Sequence, residues 1–148
     1  MVRTILILAS ILCAALIAFA LLAGADGALD VSKLFFLLWN CSPLFLVVLI
    51  ALLWRRVQKG SNPRDVANRA CLLTYCFVCL ALTTCLYSDF LYDLKTGNHI
   101  SSTYGLVFVF CPIEIAFAGF IAAALAHPIA FLIRRHNLGT NSTRPTPD

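Results

Sequence analysis

Four long stretches of this chain carry almost no charge. No Asp, Glu, Lys or Arg occurs between Arg3 and Asp26, between Lys33 and Arg55, or between Arg69 and Asp89. The stretch from Ser101 to Ile133 is interrupted only by Glu114 and His127. Leu, Ile, Val, Phe and Ala dominate all four. A helix crosses the hydrocarbon of a bilayer with about 20 apolar residues at about 1.5 Å each. Each stretch meets that length. Inside lipid every backbone N–H and C=O needs a partner, and a helix supplies one within its own segment. The pattern therefore predicts an all-α fold, an integral membrane bundle of four transmembrane helices. They are expected at about 3–23, 34–54, 69–88 and 103–126, the last extended along the interface to about 135. These segments form one domain, about 1–136, and the polar, Pro-containing remainder at about 137–148 reads as a disordered cytoplasmic tail.

Composition strengthens this reading. Hydrophobic residues make up 61% of the chain and charged ones 12%, against about 45–50% and about 25% in a soluble domain. A water-soluble fold of this size could not bury that much apolar surface. The bilayer is its first expected partner.

The charges also orient it. Arg55, Arg56, Lys59, Arg64 and Arg69 crowd the link between the second and third helices, beside a single Asp65. Arg3 precedes the first helix, and Arg134, Arg135 and Arg144 follow the fourth. The other two links hold only Lys33 and Lys95, with Asp26, Asp30, Asp89 and Asp93. Lys and Arg accumulate on the cytoplasmic side. Both termini and the basic link are thus expected in the cytoplasm, as in a bacterial inner-membrane protein. The net charge of +4 is a sign of topology. No basic stripe interleaved with aromatics indicates nucleic acid.

The first segment has a second interpretation. Arg3, an apolar stretch and "LLAGAD" have the order of a secretory signal, with Ala23 and Ala25 as its small residues. The apolar run from Ile5 to Leu22 exceeds the usual length of about 7–15, which favours a retained spanning helix.

Packing and polar positions narrow the candidates. Helices in lipid associate through small residues that let backbones approach. Ser10, Ala14 and Ala18 form such a stripe on the first helix, and Gly119 and Ala123 on the fourth. The first and fourth helices are expected to make close contacts, with each other or with a partner. Asn40 lies about 9 Å into its helix from the outer face, Glu114 about 13–16 Å, and Thr83 and Thr84 roughly 6–8 Å. Pro43 and Pro112 lack the N–H that would bond the carbonyls of Trp39 and Phe108. Asn40, Thr83 and Glu114, with kinks at the two prolines, are therefore expected to form one intramembrane polar site. Cys111, Ala118 and Ile121 share the Glu114 face, and their small members suggest that it points inward. Ionisable groups in membranes line proton or ion routes. A relay needs several in series, however, and no second one lies deep. His127 reads as interfacial.

Other motifs point away from catalysis. Cys76 and Cys79 make a C-x-x-C, yet mid-membrane thiols far from stabilising charge are inert. Cys41, Cys85 and Cys111 lie in the outer half, where a structural disulfide is conceivable. No Cys/His set has metal-ligand spacing, and no nucleophile, zinc or phosphate-loop motif implies a catalytic residue or cofactor. The outer link "SDFLYDLKTGNHISS" offers Asp89, Asp93 and His99 as candidates for a cation or polar ligand, although such segments are commonly solvated connectors.

The run "SSTYGLVFVFCPIEIAF" resembles a pattern in small bacterial four-helix inner-membrane proteins of unassigned function. The size and layout are also similar to immunity proteins that bind pore-forming toxins within the membrane. With no relay and no catalytic motif, the expected role is a non-catalytic subunit acting by helix–helix contact, for interaction, assembly or immunity; only the layout supports the last. Its partner would be another membrane protein or further copies of the chain. The competing expectation is a small transporter or channel component using Glu114.

Overall fold

The second apolar stretch is not one helix but two, and the reason lies in Pro43. In the computed structural model, which describes residues 1–23, 31–57, 63–97 and 104–141, α2 (Val31–Asn40) and α3 (Ser42–Val57) meet at Cys41 with a bend of 51°. Proline cannot bond the carbonyl four residues back, and its ring crowds the preceding turn. At the second position of α3 it does no harm, because the first N–H groups of a helix lack intrahelical partners anyway. The joint stays closed through Cys41, whose N–H donates to the Leu37 carbonyl at 2.9 Å. Its own carbonyl accepts from Leu44 at 3.0 Å.

The remaining elements are α1 (Val2–Ala23), α4 (Pro63–Thr96) and α5 (Tyr104–Asn141). The described residues are all-helical, with no strand. Three helices, α1, α4 and α5, are long and apolar enough to cross a membrane, and the bent α2–α3 pair makes a fourth if it counts as one span.

Two boundaries differ from expectation. The stretch from Asp89 to Thr96, expected within a link, continues α4. Phe90 is buried there, with its ring 4.9 Å from that of Phe108 and edge-on to it. Leu91 and Leu94 pack on the same core. This spacing is helical, so burial extends the helix by two turns. Gly97, at φ 72°, ends it in the left-handed conformation that glycine adopts without strain. Helix α5 likewise continues through Asn141, into the segment expected as tail.

Packing is built on an antiparallel α4–α5 pair. Tyr75 lies beside Phe120, Cys79 beside Ile115, and Tyr87 beside Phe108. At the basic end His127 Nε2 and Asn68 Oδ1 are 3.2 Å apart. Helix α1 buries one stripe, Leu6, Ser10, Cys13, Ile17 and Ala20, at alternating spacings of four and three. Its other faces expose Ile5, Leu8, Leu12 and Phe19, which suits lipid. That stripe meets α3 and α4, with a smaller contact to α2. Among the described residues α1 and α5 do not touch. Their small-residue stripes therefore serve different neighbours: that of α5 faces α4.

Candidate functional site

Asn40 is the last residue of α2, at the bend. It is 1% exposed. Its Nδ2 donates to its own helix at the Phe36 carbonyl, 2.7 Å away, and across to the Phe108 carbonyl of α5 at 2.9 Å. That second acceptor is the carbonyl left without a helical donor by Pro112. The Tyr87 hydroxyl of α4 donates to Asn40 Oδ1. One amide thus joins three helices. Beside it the Trp39 indole N–H donates to the Val109 carbonyl at 3.0 Å. Asn40 and Pro112 are brought together as expected, with Pro43 setting the bend that aims Asn40 at α5.

Tyr87 was not among the residues expected here. It is as enclosed as Asn40, at 1% exposure. A tyrosine near a helix end is ordinarily an interfacial anchor. Only the extension of α4 past Ser88 places it inside.

Thr83 is buried, but its hydroxyl donates to the Cys79 carbonyl of its own helix at 2.7 Å. Thr84 similarly bonds Leu80 at 2.9 Å and lies 3.6 Å from Cys13 Sγ on α1. Neither hydroxyl reaches Asn40.

Glu114 corrects the expected cluster. It is exposed, on the side of α5 turned away from the bundle, and no hydrogen bond reaches its carboxyl among the described residues. The physical reason is Ile115. With Phe108, Cys111, Gly119 and Ala123 it forms the buried stripe of α5, and a residue one position away is rotated by about 100°. Of the residues that share the Glu114 face by spacing, Cys111 belongs to the buried stripe, Ala118 is half-buried at its edge and Ile121 is exposed.

The chemistry available inside is limited. Asn40 uses both amide protons and its oxygen accepts from Tyr87, so the amide has no donor left for a ligand. An amide also cannot carry a proton. The arrangement is a lock between helices. All seven cysteines are free. Cys79 Sγ points its weak donor at the Ile115 carbonyl, 3.8 Å away, and Cys13 Sγ at that of Leu80, 3.9 Å away. Among the described residues no three His, Cys, Asp or Glu side chains converge on a point that could hold a metal ion. Asp89 is exposed and Asp93 half-buried, one turn apart on α4 rather than in a loop, and His99 lies outside the described residues. Ser10 is buried, donating to the Leu6 carbonyl at 2.8 Å, with Ala14 and Ala18 half-buried beside its stripe.

No family model matches the chain, and no curated protein or solved structure matches it either.

Proposed function

We propose that this chain is a non-catalytic, multi-pass membrane protein that acts through helix–helix contacts within the bilayer, as an interaction, assembly or immunity-type subunit. In this reading α1, the bent α2–α3 pair, α4 and α5 are four spans of one bundle in a bacterial inner membrane. One observation carries it. The Asn40 amide and the Tyr87, Thr83 and Ser10 hydroxyls inside the bundle are all hydrogen-bonded, and the Trp54 indole N–H is the buried side-chain donor left unmatched among the described residues. The Glu114 carboxyl, ten residues into α5, is turned outward. The polar crossing at the bend is closed, and the one carboxyl within the apolar stretch of α5 faces a neighbour. A co-purification test follows: extracted in mild detergent, the full chain is expected to bring down a membrane protein in fixed stoichiometry. Recovery as a monomer under every gentle extraction would count against the proposal.

Topology gives a second expected outcome. Reporters fused at Met1 and at Asp148 should both read the cytoplasm, because four spans return the chain to its starting side and Arg3, Arg134 and Arg135 favour that side. Opposite readings would require an odd number of spans, with α2–α3 a re-entrant hairpin.

A further inference from the structure

The position of Glu114 can be read against its neighbours on α4. Ile115 lies level with Cys79, whose sulfur reaches its carbonyl. Cys79 in turn stands ten residues from Arg69 and ten from Asp89, or about 15 Å from the charged residues at either end of the span. Glu114 is therefore at the middle of the apolar layer. It is also on the outside. Phe110, Phe117, Ile121 and Leu125 flank it at helical spacing, between 47% and 66% exposed. Ionisable side chains within membranes almost always face a bundle interior or a water-filled cavity, and pair there. Among the described residues this one does neither, which points to a partner from outside the chain.

A second copy brings no lysine or arginine to that depth. Arg3, Lys33, Arg56, Arg64, Arg69, Lys95, Arg134 and Arg135 all lie near the ends of the apolar segments, and His127 is about 20 Å along the same helix. Two copies meeting through this face would bring Glu114 against Glu114, like against like. A lysine or arginine from a different helix supplies charge and hydrogen bonds together. We propose that the Phe110–Glu114–Phe117–Ile121 face of α5 docks a transmembrane helix of another protein that carries a lysine or arginine at mid-membrane level. This rests on the helix-contact function above and specifies the partner's chemistry.

The test uses the full chain, labelled at its C-terminus, in phosphatidylcholine vesicles with synthetic Leu/Ala transmembrane peptides. One peptide has a central lysine and its control a central leucine; energy transfer reports association. The lysine peptide should bind about tenfold more tightly than the leucine peptide, the scale of a strong polar contact between membrane helices. Glu114→Gln should erase that preference while leaving the unfolding midpoint unchanged, since the side chain is exposed. Equal binding of both peptides to the unaltered chain would overturn the charge-specific inference and leave the helix-contact function standing. Binding of neither would remove both. Self-association that depends on Glu114 would overturn the inference in favour of a second copy.

Discussion

Replacing Asn40 with leucine is expected to destabilise the folded chain by about 2–4 kcal/mol, the sum of two lost interhelical bonds and the groups they leave behind. Leucine keeps the branched heavy-atom skeleton but carries bulkier methyls where the amide atoms sat at hydrogen-bond distance, so the lost polar contacts are joined by local crowding. The Phe108 carbonyl then faces apolar surroundings with no helical donor, because Pro112 has none to give. The Tyr87 hydroxyl, 1% exposed, loses its acceptor at the same time. Unfolding of the full chain in mixed micelles measures the change. A shift below about 0.5 kcal/mol, the range of neutral surface substitutions, would mean that the amide is not holding the helices. Pro112→Ala tests the cause. Alanine restores an N–H to the turn and gives the Phe108 carbonyl a helical partner, so Asn40→Leu should cost less in that background. A difference of about 0.5–2 kcal/mol is expected for residues sharing one acceptor. Strict additivity would separate the proline from the asparagine.

That coupling was partly legible in the sequence. A proline inside an apolar helix states which carbonyl lacks its donor, and Phe108 follows from Pro112 by counting back four. Asn40 next to Pro43 offered a donor at similar depth. What the sequence could not show was direction. In water a polar face marks the outside of a helix, but in lipid both faces are apolar. Ile115 is buried while Ile113 and Phe117 are exposed, and nothing in their chemistry separates them. By sequence alone Glu114 therefore reads as inward, whereas the packing of Ile115 turns it out. The same loss of contrast left the neighbours undecided, since Ser10, Ala14 and Ala18 can serve any partner, and here α1 lies against α3 and α4. The span positions were clear because they depend on where charge is absent. The ends were not, because Phe90, Leu91 and Leu94 continue the buried face of α4 past Asp89, and a charge on the other face does not stop a helix.

The second large effect is expected at Gly119. A methyl group added there would lie 2.8 Å from Cys79 Sγ and 2.9 Å from the Tyr75 ring, closer than carbon atoms pack. Tyr75 is 3% exposed and rests on Phe120 with ring centroids 5.0 Å apart, so it has little room to withdraw. Gly119→Ala must therefore push α4 and α5 apart or force a side chain off its preferred rotamer, at a cost of about 1–3 kcal/mol. Gly119→Leu should exceed that and dissociate the pair locally. Ala124, exposed on the same helix, is the control: Ala124→Leu should change stability by less than about 0.5 kcal/mol. Tyr75→Ala should relieve the Gly119→Ala penalty, giving a double variant less destabilised than the sum. If Gly119→Ala unfolds at the midpoint of the unaltered chain, the two backbones are not this close. Position along the helix makes a final distinction. Gly119 is eleven residues from Phe108, about 16 Å away, beyond the range at which substitutions usually couple. Asn40→Leu and Gly119→Ala should therefore add. Additive costs would mean that the amide lock and the close α4–α5 contact fasten the bundle independently, one at the bend of the α2–α3 pair and one toward the basic end.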